Sequence, residues 1–145
     1  APQSGAMGYG LPAAIAAGVA HPGRQVVCFA GDGDIQMGIA ELGTAVQAGA
    51  KLLIIVLKNG SYGTIRMHQE RDYPDRISGT NLYNPDFAAV AQAYGMAGFT
   101  VAKTDAFEAA FDRAVTAENG AVIELDINVD AITPRTTLTK LRKKG

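Results

Sequence analysis

Two apolar segments, each running into a glycine-containing turn, constrain the fold of this chain most strongly. Residues 25–30 lead into Gly31-Asp32-Gly33, and residues 52–57 lead into Lys58-Asn59-Gly60-Ser61. Continuous apolar segments of this length are typical of buried parallel strands. Asp32 and Asn59 lie 27 positions apart, which fits one β-α-β unit. The carboxylate and the amide are therefore predicted at the carboxyl ends of neighbouring strands, where open α/β sheets bind ligands.

The rest of the chain alternates predicted helices and strands. Helical spacing of apolar residues predicts helices at 35–48 and 106–116. The Ala-rich segment 11–20, with Pro12 in its first turn, is predicted as a helix, and residues 64–70 are the helical part expected within the polar segment 62–80. Asn84-Pro85-Asp86-Phe87 opens a further helix that Gly95 ends, and Asp105 is predicted to cap the helix at 106–116. Additional strands are predicted at 97–103 and 121–127. This alternation predicts an α/β fold: a doubly wound, mostly parallel sheet with helices on both faces.

The turn around Asp32 has the chemistry of a site for an anion and its cation. The glycines on both sides of Asp32 allow the backbone to turn sharply and approach a ligand closely. The helix that follows would direct its free N–H groups toward an anion. Carboxylate and amide oxygens are ligands that a hard cation prefers. These features predict a site for a diphosphate held by such a cation.

Three blocks of sequence resemble one enzyme family. Gly31-Asp32-Gly33 with Asn59 resembles the thiamine-diphosphate motif, in which GDG is followed at similar spacing by two asparagines. The segment 4–14 resembles the one that these enzymes carry before GDG, and residues 31–45 are similar to acetolactate synthases and related 2-oxo-acid decarboxylases. The resemblance covers most of the chain, from Ser4 to the region of Pro134. It implies the C-terminal diphosphate-binding domain of a thiamine-diphosphate enzyme.

The resemblance implies a role for each residue of the motif. Asp32, the side-chain oxygen of Asn59 and the backbone carbonyl of Ser61 would bind Mg²⁺, the metal ligands of the site. Backbone N–H groups of Gly33, Asp34 and Ile35 would bind the diphosphate; the carbonyl of Gly5 would accept a hydrogen bond from the aminopyrimidine, and Met7 would hold the cofactor bent. The expected cofactor-binding residues are Gly5, Ala6, Met7, Gly31, Asp32, Gly33, Asp34, Ile35, Asn59, Ser61, Tyr62 and Gly63. We expect no catalytic residue within this chain, because the activating glutamate belongs to another domain.

Two residues depart from the family pattern. Lys58 stands where the first asparagine is usual, and Asp34 stands where serine or alanine is common. Because the implied metal ligand is the second asparagine, Asn59, we expect coordination to survive. An ionised Asp34 cannot donate a hydrogen bond to a phosphate as a serine would. It either points outward or caps the helix that follows, and the cap is the favoured interpretation.

Composition and charge narrow the remaining possibilities. The chain is 48% hydrophobic and 19% charged, as in ordinary globular domains. Its net charge of −1 gives no electrostatic reason to expect a nucleic acid partner. No segment has the length of a membrane span, and nothing resembles a secretory signal. The single cysteine, Cys28, lies in a predicted strand and is expected in the core; having no partner for an intrachain disulfide, it suits a cytoplasmic location.

We divide the chain into a cofactor-binding domain at 1–132, lacking its N-terminal part, and a tail at 133–145. The basic end of the tail is expected to be solvated, although in similar enzymes the terminus can cover the active site. Because the chain starts almost inside a motif, we expect a fragment of a longer protein that is inactive alone. The resemblance implies a pyrimidine-binding domain from the same or a second subunit, in a homodimer or homotetramer, with FAD possible in the full-length protein.

The expected function is thiamine diphosphate and Mg²⁺ binding within a carboligase or decarboxylase that acts on a 2-oxo acid, with acetolactate-synthase-like carboligation as the first expectation. The alternative is a non-catalytic cofactor-binding or regulatory module that retains the fold. Arg66 and His68 either contact a substrate carboxylate or are solvated loop or interface residues. A nicotinamide-dependent dehydrogenase is not favoured, because Gln36 occupies the last glycine position of the dinucleotide-binding motif G-x-G-x-x-G.

Overall fold

A central sheet of four parallel strands organises the computed structural model, which describes residues 4–142. Its strands are β1 (Val26–Gly31), β2 (Leu52–Lys58), β3 (Ala97–Val101) and β4 (Ala121–Asp126), in the order β1-β2-β4-β3. The helices are α1 (Gly10–Ala20), α2 (Asp32–Ile35), α3 (Glu41–Gln47), α4 (Gly63–Asp72), α5 (Phe87–Ala93), α6 (Phe107–Val115) and α7 (Leu138–Arg142). An antiparallel hairpin joins β5 (Ala131–Thr133) to β6 (Thr136–Thr137). The predicted α/β class with a parallel sheet is confirmed.

Strand β2 lies inside the sheet and pairs with β1, so that the turns after the two strands lie next to each other. Leu53, Ile54 and Val56 on this strand are completely buried, as expected for a strand covered on both faces. The register pairs Ala30 with Val56 and Gly31 with Leu57. Strands β1 and β2 therefore end side by side, and the turns that follow them leave the sheet at the same edge.

Alternating side chains divide the core into two layers. On one face, Leu52 and Ile54 pack with apolar residues of α1, α3 and α5. On the other face, Leu53 and Ile55 pack with residues of α6, among them Ala114. The second layer does not reach β1 within the described residues, since Phe29, whose register partner is Ile55, is 67% exposed. Helices thus cover both faces of the sheet, but they leave one side of its edge strand β1 open.

The prediction of one continuous helix at 35–48 is wrong. The chain forms the short helix α2, a series of tight turns, and then α3. In these turns the N–H groups of Met37 and Gly38 donate to the carbonyls three residues earlier, those of Asp34 and Ile35. Bonds of this kind give a tighter turn than the α-helical pattern. Apolar spacing alone does not distinguish such a series of turns from a regular helix.

Two aspartates, Asp86 and Asp105, lie at predicted helix starts, and of these two only Asp105 is predicted as a cap. Asp86 caps α5, because its Oδ1 accepts a hydrogen bond from the N–H of Ala89 at 2.8 Å. The predicted cap by Asp105 is wrong: this residue lies in a 3₁₀ turn, Thr104–Ala106, and α6 starts after it without a side-chain cap. The 3₁₀ turn provides backbone acceptors for the N–H groups of Ala106 and Phe107 at the start of α6, so the carboxylate of Asp105 is not needed there.

The last residues of the described chain are not an aperiodic solvated tail. Residues 131–142 form the β5–β6 hairpin and α7, and Leu138 is only 2% exposed. An ion pair between Arg142 and the buried Glu70 ties α7 to α4. Residues 143–145, which carry the rest of the predicted basic end, lie outside the described residues. Among residues 4–142, no helix is long and apolar enough to cross a membrane.

Candidate functional site

A cleft of about 340 Å³ opens where β1 and β2 end. Most residues predicted to bind the cofactor line it: Met7, Gly31, Asp32, Gly33, Asp34, Asn59, Ser61, Tyr62 and Gly63. Gly5, Ala6 and Ile35 do not line it. Gly5 and Ala6 are exposed, whereas the Ile35 side chain is buried in the core and leaves only its backbone near the cleft.

Asp32 is a buried carboxylate held by four N–H donors. Its Oδ1 accepts a bond from the N–H of Gly33 at 3.0 Å. Its Oδ2 accepts bonds from the N–H groups of Asn59 at 3.1 Å and Gly60 at 2.7 Å, and from Nδ2 of Asn84 at 2.7 Å. The residue is 2% exposed and has no ion pair with the described residues. Neutral donors thus fix the carboxylate in place without compensating its charge.

The turn after β2 brings two more predicted ligands to the same place. Oδ1 of Asn59 accepts a hydrogen bond from the N–H of Ser61 at 2.9 Å, so the amide closes its own turn. Ser61 is 3% exposed, and its hydroxyl donates to the carbonyl of Thr80 at 2.9 Å. The backbone carbonyl of Ser61 accepts no hydrogen bond from residues 4–142. Asp32, Asn59 and Ser61 therefore converge at one edge of the sheet.

Gly33 is needed because of its neighbour and not because of its backbone angles. A Cβ atom on Gly33 would lie 2.5 Å from Cε1 of Tyr62 and 3.0 Å from a methyl group of Leu82. The aromatic ring of Tyr62 therefore rests against the start of α2. At Gly31, by contrast, the nearest atom to an added Cβ is 4.0 Å away. Of the two glycines of the motif, only Gly33 is required by close packing.

The predicted helix cap by Asp34 is wrong. Asp34 lies inside α2, and α3 has Ala40 at its cap position without a side-chain bond. The carboxylate instead accepts a hydrogen bond from the N–H of Gly8, with 2.6 Å between N and Oδ1. This bond ties the loop before α1, which carries Met7, to the wall of the cleft. Asp34 does not cap a helix because its carboxylate bonds to the N–H of Gly8, a residue distant in sequence.

Lys58, the other departure from the family pattern, forms an ion-pair network beneath the turn. Its Nζ pairs with the buried Glu124 and with Oδ1 of Asp126 at 2.9 Å. Burial lowers the pKa of Lys58, but the hydrogen bonds that its ammonium donates to Asp126 and Glu124 outweigh burial and leave the pKa raised. The second oxygen of Glu124 accepts the N–H of Phe87 at 2.8 Å. Lys58 thus links the end of β2 to β4 and to the start of α5.

Arg66 and His68 do not line the cleft. Nη1 of Arg66 donates to Oδ1 of Asn81 at 3.0 Å, and its Nε lies 4.0 Å from the buried Glu70. His68 is exposed. Neither side chain lines the cleft, and the partly buried Arg66 is held by Asn81 beside Glu70.

Cys28 is confirmed as a core residue at 4% exposure. Burial, and then the charge of Asp34, raise the pKa of its thiol. The thiol is therefore kept in its neutral, unreactive form, which fits a packing role.

Sequence reasoning missed two parts of this site. Asn84, identified only as part of a helix start, contacts Asp32 directly, and Oδ1 of Asn84 accepts a bond from Nε2 of Gln36 at 2.6 Å. The apolar wall of the cleft was missed as well; it consists of Leu57, Ile65, Ile127, Ala131 and Ile132. The only available signal was position: Leu57 lies at the end of β2, Ile65 in the first turn of α4 and Ile127 directly after β4, while Ala131 and Ile132 lie in β5. Among residues 4–142, no group of three His, Cys, Asp or Glu side chains is arranged to bind a metal.

Comparison with known proteins identifies the class to which this fold and site belong. Residues 2–125 match the family model of the thiamine pyrophosphate enzyme, C-terminal TPP binding domain. The acetolactate synthase large subunit of Haemophilus influenzae is 43% identical over 128 residues, which are 88% of this chain and 22% of that protein. The acetolactate synthase isozyme 2 large subunit of Escherichia coli is 38% identical over 125 residues, covering 86% and 23%.

A solved structure shares the fold. The thiamine diphosphate-dependent 4-hydroxybenzoylformate decarboxylase of Rhodococcus jostii RHA1 aligns with a TM-score of 0.77 and 37% identity, covering 84% of this chain and 23% of that one. The chain therefore belongs to the C-terminal TPP-binding domain family of thiamine pyrophosphate enzymes. It spans 22% and 23% of the length of the two acetolactate synthases described above. The family match stops before the β5–β6 hairpin and α7.

Proposed function

We propose that the cleft at the ends of β1 and β2 binds the diphosphate of thiamine diphosphate together with Mg²⁺. The observation that carries this proposal is the buried charge of Asp32, which is 2% exposed and has no cationic partner among the described residues. Buried charges in proteins are paired or coordinate a metal. All the donors to Asp32 are N–H groups, which suits an ionised carboxylate.

The available donors fit this cation. Asp32 provides a carboxylate, Asn59 an amide oxygen and Ser61 a backbone carbonyl, and Mg²⁺ prefers oxygen ligands of this kind. One carboxylate is typical of Mg²⁺ sites, which are completed by phosphate and water oxygens. The first turn of α2 lies at the same edge, and the N–H groups of Asp34 and Ile35 support the diphosphate, whereas the predicted donor Gly33 bonds to Asp32.

The protein that contains this domain is proposed to be a decarboxylase or carboligase of 2-oxo acids. Support comes from the acetolactate synthases and from the 4-hydroxybenzoylformate decarboxylase, which this chain resembles in sequence. When bound, thiamine diphosphate supplies an electron sink for carbanion chemistry. The chain's own contribution is to anchor the diphosphate end and to offer an apolar wall, including Met7 and Ile132, to the rest of the cofactor.

The two departures from the family pattern do not favour a non-catalytic module. Asp34 holds the loop that carries Met7, and Lys58 supports the end of β2, directly before Asn59. Each substitution therefore has a structural role that leaves the proposed ligands in place.

Calorimetric titration of the full-length protein with thiamine diphosphate, with and without Mg²⁺, tests the proposal. We expect binding that needs Mg²⁺ in the wild type and is lost in Asp32→Asn. Asp105→Asn is the matched control, because Asp105 is an exposed carboxylate after β3 at the same edge of the sheet. Equal binding by wild type and Asp32→Asn would overturn the assignment. Release of CO₂ from pyruvate and from aromatic 2-oxo acids then tests the substrate class.

A further inference from the structure

We infer that Asn84 is a positioning residue that selects which oxygen of Asp32 is presented to the cation, and that Gln36 sets the orientation of the Asn84 amide. This inference rests on the proposed function, because it concerns the proposed Mg²⁺ site. It concerns residues that make no proposed contact with the cofactor themselves. Asn84 lies 52 positions from Asp32 along the chain, so only the fold brings the two together.

The hydrogen bonds to Asp32 are distributed unequally between its two oxygens. Oδ2 accepts three donors, from Asn59, Gly60 and Asn84, whereas Oδ1 accepts only the N–H of Gly33. A carboxylate has about four acceptor positions in all, two on each oxygen. Oδ2 is therefore saturated, and the free position is on Oδ1. The Asn84 amide is the only side chain among these donors, and it binds Oδ2 and leaves Oδ1 open.

Two partners, Gln36 on one side and Asp32 on the other, fix the orientation of the Asn84 amide. Nε2 of Gln36 donates to Oδ1 of Asn84 at 2.6 Å, so the NH₂ group of Asn84 must face Asp32. If the amide flipped, its oxygen would face Oδ2 of Asp32, and two acceptors would be in contact. Gln36, in the turn after α2, thus acts on the carboxylate only through Asn84.

The backbone holds Asn84 rigidly on both sides. Before it, the N–H of Leu82 donates to the carbonyl of Gly60 at 2.9 Å, which joins this segment to the turn that carries the proposed ligands. After it, Pro85 restricts the backbone of Asn84 to extended conformations, and Asp86 caps α5. A side chain on such a segment can orient its partner at little entropic cost.

A double-variant cycle in the full-length protein tests the inference. The variants are Asn84→Leu, which keeps the size of the side chain, Gln36→Met, and the double variant. At saturating thiamine diphosphate, we expect the Kd for Mg²⁺ to rise about 10-fold in Asn84→Leu, the lower end of the effect of losing an outer partner of a metal ligand. Gln36→Met should give a smaller rise, and the double variant should be no weaker than Asn84→Leu alone, because Gln36 acts through Asn84.

The controls separate this inference from the proposed function. Asn119→Leu is the matched control: Asn119 donates to the carbonyl of Gly95 at an exposed position, and its loss should leave the Kd for Mg²⁺ unchanged. If Asn84→Leu does not fold, judged by its circular dichroism, Asn84→Ser replaces it in the cycle. Wild-type Mg²⁺ binding with an unchanged Kd in the Asn84 variants, or additive effects of the two substitutions, overturns the inference alone. Absence of Mg²⁺-dependent binding in the wild type overturns both.

Discussion

The backbone N–H of Gly8 donates to Oδ1 of Asp34 across 2.6 Å, and this single bond joins the loop before α1 to the short helix α2. Gly8 has a φ of +81°, a conformation that favours glycine, and an added Cβ would lie 3.1 Å from Cβ of Met37. The loop is thus shaped to bring one N–H group to one carboxylate. Met7, the neighbour of Gly8, lines the cleft as a result.

Replacing Asp34 by alanine should loosen this loop. Hydrogen bonds to a charged acceptor contribute about 1.5–3 kcal/mol, and the half-buried position of Asp34 places the expected loss of stability near the lower value. The amide of Gly8 should exchange its hydrogen faster, as measured by NMR or mass spectrometry. Asp34→Asn is the control, since its side-chain oxygen can still accept the bond. Unchanged exchange at Gly8 in Asp34→Ala would contradict this account.

The two glycines of Gly31-Asp32-Gly33 should respond differently to alanine. In Gly33→Ala the new methyl group would meet the ring of Tyr62, and overpacking of this kind costs about 1–3 kcal/mol. Gly31→Ala should be tolerated, because its φ is −73° and its nearest neighbour is 4.0 Å away. Urea unfolding without ligand measures both changes. Equal stability of the two variants would show that the ring of Tyr62 moves away freely.

Local patterns were sufficient to predict the centre of the fold. The apolar runs before Gly31 and Lys58 became β1 and β2; β2 is buried on both faces and needs apolar residues nearly throughout, whereas β1 is covered on one face only. The turns after them contain their own signals, glycine and asparagine. Asp86 was predictable as a cap for the same reason: the residue, the helix start and the bond lie within a few positions.

The rest of the site depends on contacts between distant segments. Lys58 meets Asp126 because the register of β2 and β4 pairs these two residues, and no local pattern encodes that register. Asp34 had a local interpretation as a cap, but the loop at Gly8 provides a competing donor that became visible only in three dimensions. The Asn84–Asp32 bond is of the same kind. The residues that form the turns of the site could be identified from the sequence, whereas the distant residues that they contact could not.

Removing the Lys58 side-chain charge should destabilise the domain. Lys58→Met leaves the buried Glu124 without its cation, and we expect a loss of about 2 kcal/mol, below the range for fully buried pairs because Lys58 is 25% exposed. Lys51→Met, at an exposed position, is the control. Because the folded pKa of Lys58 is raised, its contribution is present below its ordinary value of 10.5 and disappears as pH rises through the folded value.

Urea unfolding of wild type and Lys58→Met between pH 7 and strongly alkaline pH measures this difference. The gap between the two proteins should stay constant up to the ordinary pKa of lysine and then shrink. A gap that persisted unchanged at alkaline pH would mean that packing of the lysine stem, and not its charge, stabilises the end of β2.

The pair formed by Glu70 and Arg142 should make the C-terminal segment sensitive to acid. The hydrogen bond from Arg142 outweighs burial and lowers the pKa of Glu70, and the N–H of Asp75 adds a bond to the same carboxylate at 3.1 Å. A lowered folded pKa contributes stability above the ordinary value of 4.5, and that contribution is lost as pH falls through the folded value. Glu70→Gln should remove this part of the pH dependence.

Limited digestion with trypsin at neutral pH follows the same pair directly. In Glu70→Gln, α7 should open more often, so cleavage at Lys140 should be faster than in the wild type. Glu108→Gln, an exposed glutamate on α6, is the control and should leave cleavage unchanged. Because Ala131 and Ile132 form part of the cleft wall, the affinity for thiamine diphosphate should fall together with the protection of α7. Faster cleavage with unchanged affinity would show that the hairpin keeps its place in the wall without the ion pair.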